Sequence, residues 1–381
     1  MQTKRKTALV LSGGGSRGAY QAGAWQAIQE LGIKLDMVVG VSVGALNGAM
    51  VVQGDPIKTA NLWRQMETDM IFDVASDATL PDFAKEFFAN GGAGSTGLQK
   101  IVNQYADEEI IRKSPIDFGL VTVEFPSRKP YYLWKEDIPE GKIADYVTAS
   151  ASAFPAIQTY EIDGKEFIDG GYANNLPVSM ALEHGATDVI AVYLDAVGKF
   201  YPEELDQVEN LVYIKPKWEL GDFLVFSREN SRKIIRLGYL DAMKAFDIYE
   251  GEYYTFVKGA FDKRQLKQAD MAAKLFEMDP EILYRKDFFI QELTDKVDSV
   301  TADIAARHAG SFDFNMSLRP DKLKEHFKDF NRKSIALVIA HNLANKGQDS
   351  IFNAGYIQKF IKNEVAVAKF LVNNGIIFKE V

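Results

Sequence analysis

Cysteine is absent from the 381 residues. Disulfide frameworks, thiolate zinc sites and thiol catalysis are thereby excluded. Histidine occurs at only four positions, His184, His308, His326 and His341. A His-rich metal site is disfavoured, and any catalytic histidine must come from that short set. No apolar run approaches the roughly 18 residues that a membrane span requires. The start, Met1-Gln2-Thr3-Lys4-Arg5-Lys6, is basic like a signal peptide. The apolar run behind it, Ala8-Leu9-Val10-Leu11, is far shorter than an h-region of roughly 7–15 residues. The expectation is a cytoplasmic protein. Internal repeats and low-complexity tracts are missing. Positive charge is in deficit: 44 Lys and Arg against 53 Asp and Glu leave a net charge of −9. Such a chain is a poor global match to nucleic acid or anionic lipid, so no nucleic-acid partner is expected.

What is present is an ordinary globular composition, 47% hydrophobic and 25% charged. That excludes disorder, coiled coil and collagen. The length fits two to three domains, or one domain with an appendage. Thr7–Leu11 reads as a short buried strand, and Ala19–Leu31 as a helix closed by Gly32. Met37–Val39 reads as a second strand, followed by a small-residue helix over about Gly44–Met50. Strand, helix, strand, helix predicts a parallel sheet with helices on its faces. Further on, Leu120–Val123 and Tyr131–Trp134 read as strands around a Pro126–Pro130 turn. A helix is expected over Ile143–Ala153. Tyr160–Ile162 and Glu166–Ile168 flank Asp163-Gly164, a hairpin signal. Pro177–His184 reads as a helix capped by Gly185, and Asp188–Leu194 as another buried strand. The glycine-rich stretch 90–97 is either a surface loop or the hinge of a lid. Phe83, Phe87 and Phe88 either pack in the core or make peripheral contact with a membrane. Beyond about residue 248 strand-like runs thin out, and helical stretches such as Asp262–Glu277 and Ile290–Arg307 take over. A boundary is expected near 248–260.

Three motifs could carry chemistry. The first is Gly13-x-Gly15-x-x-Gly18, between a strand and a helix. With Asp36 near the spacing of a ribose-binding acid, it superficially matches a dinucleotide fingerprint. But Asp36 precedes the second strand, whereas that acid belongs at the strand's end. No Gly-Lys-Ser/Thr follows, so a P-loop is excluded. The other reading is a backbone cradle for an oxyanion. The second motif is Gly40-Val41-Ser42-Val43-Gly44, the G-x-S-x-G of a nucleophile elbow, fed by a strand and left by a helix. Gly14-Gly15-Ser16-Arg17-Gly18 also fits that pattern, but a glycine run separates Ser16 from its strand. Ser42 is the favoured nucleophile; an ordinary helix N-cap is the plainer alternative. The third is Asp169-Gly170-Gly171, an acid at a strand end that can face a site or merely hold a turn, with Asn175-Leu176-Pro177 nearby to shape the loop. His184 falls at a helix end, where its charge suits the dipole. Asp169 acting directly on Ser42 is therefore the economical base. A carboxylate is a weak base at pH 7, so geometry and desolvation must do much of the activation.

In this order, the three motifs resemble those of the patatin-like phospholipase family. Ala149-Ser150-Ala151-Ser152-Ala153-Phe154-Pro155 also resembles the segment before that family's Asp loop. The likeness covers about residues 6–245. It implies an α/β fold, a three-layer sandwich around a mainly parallel sheet. The expected organisation is a hydrolase domain over 6–247 and a mainly helical C-terminal region over 248–381. That region could cover the site, mediate assembly or bind a partner; a plain helical appendage is the simplest reading. By the resemblance, Ser42 and Asp169 form a catalytic dyad. The N–H groups of Gly14 and Gly15 form the oxyanion hole, with Arg17 beside it as support. Gly13, Gly18, Gly40, Gly44, Gly170 and Gly171 supply motif support. The implied activity is hydrolysis of lipid acyl esters (phospholipid, lysophospholipid or neutral lipid) with no metal and no cofactor. The alternatives are a nucleotide-binding oxidoreductase and a catalytically silent lipid-binding module.

Overall fold

The apolar runs of the first half become strands of one sheet in the computed structural model, which describes residues 5–73, 75, 77–94, 96–307, 327–328, 330–354 and 361–379. The strands are β1 (Thr7–Leu11), β2 (Met37–Val41), β3 (Asp117–Phe125), β4 (Pro130–Trp134), β5 (Tyr160–Ile162), β6 (Lys165–Asp169), β7 (Asp188–Val192) and β8 (Asn210–Ile214). β3, β2, β1, β7 and β8 lie side by side and all parallel. β4 and the β5–β6 hairpin add antiparallel pairing at the β3 side.

The register at β3 decides where the chain ends meet. Val121 pairs with both Val41 and Tyr132, and Thr122 with both Tyr131 and Asp169. A strand has two edges, so β4 occupies one and β2 and β6 share the other, end to end. β2 finishes opposite Val121 and β6 finishes opposite Thr122. The residues after β2 and at the end of β6 are thereby brought face to face.

Helices cover both sides of the sheet. Those before β3 are α1 (Gly18–Glu30), α2 (Val43–Val52), α3 (Pro56–Trp63), α4 (Thr68–Ile71), α5 (Leu80–Asn90), α6 (Thr96–Tyr105) and α7 (Glu108–Lys113). After β4 come α8 (Ile143–Ser150), α9 (Val178–Glu183), α10 (Pro202–Leu205) and α11 (Arg228–Ala245). Alternate residues of the central strands, Ala8, Val10, Met37 and Val39, pack with Val178 and Met180 of α9. The opposite face receives α2 and α8, where Gly48 lies against Val38 and Phe118. Two buried faces explain why these strands read as continuous apolar runs and not as alternation. Each fully buried Val or Leu contributes roughly 1.5–3 kcal/mol. The result is a three-layer α/β sandwich.

One expectation needs adjusting, and two open alternatives are narrowed. The helix expected to reach Ala153 stops at Ser150, because the Ser152 carbonyl is needed by the Asp169 N–H at 2.8 Å. In the glycine-rich stretch, Ala93 is buried and exchanges backbone hydrogen bonds with Ala156 and Gln158 at 2.9 and 3.1 Å. That is a stitched loop; Ser95 lies outside the described residues. Phe83 is buried edge-on against Phe72, whereas the side chains of Phe87 and Phe88 lie outside the described residues.

The described residues divide into two compact units, one ending at Asp247 and the other beginning at Ile248. The second holds α12 (Lys263–Leu275), α13 (Lys286–Arg307) and helices Arg332–Lys346 and Lys362–Asn373. It also holds a small sheet of β9 (Tyr249–Glu250), β10 (Thr255–Val257) and β11 (Leu283–Tyr284). Its core centres on the rings of Phe256, Phe261, Phe289 and Phe370, in edge-to-face contacts of 5.1–6.1 Å. Among the described residues no helix is long and apolar enough to cross a membrane.

Candidate active site

Ser42 follows β2 directly and occupies the N-cap position of α2, with φ 55° and ψ −129°. A non-glycine residue there is strained by roughly 1–3 kcal/mol, a cost met where surrounding structure dictates the turn. Here both flanking glycines dictate it. A Cβ on Gly40 would stand 2.0 Å from the Gly44 carbonyl oxygen, and one on Gly44 2.3 Å from the Leu11 carbonyl oxygen. The Ser42 hydroxyl makes no cap bond, which removes the ordinary N-cap reading. A residue that sequence reasoning did not single out holds the elbow from below. The buried Ser150 hydroxyl accepts the Ser42 N–H at 2.9 Å and donates to the Val121 carbonyl at 2.6 Å.

Asp169 ends β6 beside that elbow and is 7% exposed. One carboxylate oxygen accepts the Gly171 N–H at 2.7 Å. Burial raises its pKa from an ordinary 3.8 to about 6, against the opposing pull of hydrogen bonds from the Ser42 side chain and the Gly171 N–H. The charged form is thus destabilised by desolvation and keeps appetite for a proton, while still being ionised at neutral pH.

The glycine loop lies across from the pair. Gly13 N–H donates to Asn175, Ser16 N–H to Phe223 and Arg17 N–H to Gly14. Among the described residues the N–H groups of Gly14 and Gly15 have no intramolecular acceptor, and both residues line the cavity that holds Ser42 and Asp169. Gly15 has φ 56°, and a Cβ there would meet the Phe223 carbonyl oxygen at 1.9 Å. A relay beneath the loop keeps it in place: Gln21 donates to the Ser12 carbonyl at 2.8 Å, and Asn47 donates to Gln21 at 2.9 Å and accepts from the Trp63 indole at 2.8 Å.

The other sequence candidates fall elsewhere. The Ser16 hydroxyl is buried and donates to the Asp222 carbonyl at 2.8 Å, so its glycine-flanked motif is a loop anchor. The Arg17 guanidinium donates to the Gly221 and Asp195 carbonyls at 2.8 and 2.9 Å and does not line the cavity. It clamps two loops around the glycine turn. Asp36 accepts the Thr7 N–H at 2.8 Å, at the start of β1, opposite the glycine loop. The dinucleotide reading loses its ribose-binding acid by that placement. His184 lies 3.0 Å from Asp117 and stacks on Trp134 at 3.8 Å. Asp117 pairs with Met37 at the far end of β2, five residues or about 16 Å below Ser42 at ~3.3 Å per residue. His341 belongs to the second unit, and His308 and His326 lie outside the described residues. Among the described residues no group of three or more His, Asp or Glu side chains is placed to hold a metal ion.

Beyond the polar end the cavity is walled by Leu46, Ile71, Leu98 and the clustered rings of Trp63, Phe72 and Phe226. A hydroxyl beside a desolvated carboxylate, two unspent N–H groups and an apolar trough together suit acyl transfer from an ester with a hydrocarbon chain.

Residues 9–182 match the family model described as patatin-like phospholipase. Neuropathy target esterase sws of Drosophila melanogaster is 32% identical over 205 residues, 50% of this chain and 13% of that protein. Lysophospholipase NTE1 of Cryptococcus neoformans is 26% identical over 200 residues, 51% of this chain and 12% of that protein. The chain therefore spans only a small part of the curated relatives it matches. Among solved structures, VipD from Legionella pneumophila aligns with a TM-score of 0.40 and 13% identity, over 98% of this chain and 88% of that one.

Proposed function

From the patatin-like phospholipase domain that residues 9–182 carry, we propose that this chain hydrolyses acyl esters of lipids, with Ser42 as nucleophile and Asp169 as base. The observation that carries the reading is the shared edge of β3. It delivers a strained serine and a desolvated carboxylate to one cavity from two strand ends. The apolar trough and the names of the relatives, an esterase and a lysophospholipase, support a lipid substrate.

The chemistry follows from the placement. Asp169 takes the Ser42 hydroxyl proton as the oxygen attacks the ester carbonyl carbon. The carbonyl π electrons move to oxygen, and the Gly14 and Gly15 N–H groups donate to the resulting oxyanion. The first turn of α2 adds a favourable dipole at the nucleophile. Collapse expels the alcohol, which leaves with the proton from Asp169, and an acyl-Ser42 ester remains. Water then gives a proton to Asp169 while its oxygen attacks that ester. The second collapse releases the carboxylic acid and returns the proton to Ser42. Arg17 supports the hole by clamping its loop. No step calls on a metal.

Labelling with a fluorophosphonate tests the assignment. Ser42→Ala should abolish both labelling and ester turnover, whereas folded Ser16→Ala should still label. The opposite pattern reverses the assignment, and an unlabelled wild-type protein favours the silent lipid-binding module.

A further inference from the structure

The cavity that holds Ser42 and Asp169 has an open end and a closed one. At the open end Val197 is 86% and Tyr172 46% exposed, and both line the cavity. This mouth lies beside the proposed dyad. Tyr172 ends the short turn that Asp169 caps. The Lys199 N–H donates to the Gly171 carbonyl at 2.9 Å, which seats the loop of Val197 on the loop of Asp169. An alcohol leaving the Ser42 adduct has solvent within reach on that side.

In the other direction the wall is a run of buried rings. Trp63 starts it next to the nucleophile. A Cβ on Gly18 would stand 2.4 Å from Val43 Cγ2 and 2.7 Å from Trp63 Cζ2, and Val43 follows Ser42 directly in the chain. Trp63 stacks on Phe226 with centroids 6.1 Å apart, and Phe226 meets Phe72 at 5.9 Å. There the run ends. Behind Phe72 stands Phe83, edge-on at 5.3 Å, buried and outside the cavity lining. The run is also held in place. The Trp63 indole donates to Asn47 at 2.8 Å. The Phe226 N–H donates to the Thr68 hydroxyl at 3.0 Å, which donates back to the Phe226 carbonyl at 3.3 Å. A wall packed and tied in this way yields little to an overlong guest. Among the described residues Asp169 is the only charged side chain that lines the cavity, so the buried end suits hydrocarbon.

We propose that Phe72 sets the longest acyl chain this site hydrolyses. The tail runs from the Ser42 ester past Trp63 and Phe226, and its terminal methyl meets the Phe72 ring, while the alcohol part of the ester stays at the mouth. This rests on the hydrolase reading above. Phe72 touches the far end of the tail and none of the reacting atoms, so its effect is on the choice among chains. kcat/KM climbs with chain length until the tail reaches the ring, and a tail one methylene too long loses about 10–200-fold.

The test measures kcat/KM for straight-chain p-nitrophenyl esters of even acyl length, from acetate to palmitate, in mixed micelles of fixed composition. Wild type, Phe72→Ala and Ser42→Ala are compared, with thermal unfolding of each. Wild type should show a ceiling within the series. Phe72→Ala should move that ceiling to longer chains, and raise kcat/KM for the first ester beyond it by about tenfold or more relative to the ester at the ceiling. A wild-type profile without a ceiling, or a folded Phe72→Ala with an unmoved one, overturns the inference and leaves the dyad standing. Turnover in Ser42→Ala overturns the dyad instead. A wild type inert to the whole series overturns the hydrolase reading, and the role of Phe72 falls with it. Should Phe72→Ala not fold, a crystal structure of wild type carrying an alkyl phosphonate of the ceiling length on Ser42 decides. A terminal carbon within about 4 Å of the Phe72 ring supports the inference, and a tail that ends anywhere else overturns it.

Discussion

Replacing Asp169 by Asn should make the protein more stable and less active at once, and the gain should depend on pH. Burial holds the carboxyl at about 6 against an ordinary 3.8. A group with a raised folded-state pKa contributes its stability below the unfolded value and loses it as pH rises through the folded one. Each tenfold change in proton affinity corresponds to ~1.4 kcal/mol, so the fold carries a burden of about 3 kcal/mol once Asp169 is ionised in both states. The amide is neutral, keeps the size and can still accept the Gly171 N–H. At pH 8 the variant should therefore gain up to about 3 kcal/mol, or ~6–12 °C for a unit of this size. The difference should shrink between pH 6 and 4 and vanish below. In the wild type, kcat/KM should fall as pH drops through about 6, where Asp169, the proposed base, becomes protonated. Asp169→Asn should have lost roughly 10²–10⁴-fold in rate. Calorimetric melting of the full chain at pH 4 and pH 8, with ester turnover on the same samples, checks all of this. An Asn variant that melts lower at pH 8, or whose offset is the same at both pH values, refutes burial as the source of the shift. An active variant removes the base.

Three further outcomes are expected. His184→Ala should keep ester turnover within about threefold, since its ring pairs with Asp117 at the wrong end of the sheet; a folded variant as dead as Ser42→Ala would replace the dyad by a triad. Ser150→Ala strips partners from the Ser42 N–H and the Val121 carbonyl, at a cost of about 1–3 kcal/mol, and should lower kcat about tenfold by loosening the elbow; unchanged kcat in the folded variant would show that the glycines alone hold it. EDTA dialysis should leave turnover unchanged, because the described residues offer no cluster of metal ligands; loss of activity restored by calcium would reject the metal-free steps.

How much of this was legible in the sequence depends on range. β1 and β2 are short apolar runs, and the 160–168 hairpin is marked by its Asp163-Gly164 turn, so local chemistry sufficed for them. The glycines around Ser42 were legible because backbone collisions leave no other residue room. What could not be read is non-local. Nothing between Gly40 and Gly171 announces that β2 and β6 abut on one edge of β3, or that Ser150 seals the junction. Ser150 looks like any small residue at a helix end. β9 and β11 are two residues each, shorter than any period, so the second unit reads as helical. The resemblance offers Arg17 as support for the oxyanion hole, and only the positions of Asp195 and Gly221, some 180–200 residues away in the chain, reveal that the support is a clamp on two loops.

The end-to-end seating of β2 and β6 also sets a timetable. Asp169 follows Ser42 by 127 positions (169 − 42), and a ribosome adding about 5–20 residues per second leaves the serine waiting roughly 6–25 s for its partner. During that interval an unfinished chain has a nucleophile without a base, and β3 an unfilled edge. On the proposed dyad, a fragment ending before β6 would be inert toward esters, so the enzyme's first turnover waits for its sheet to close.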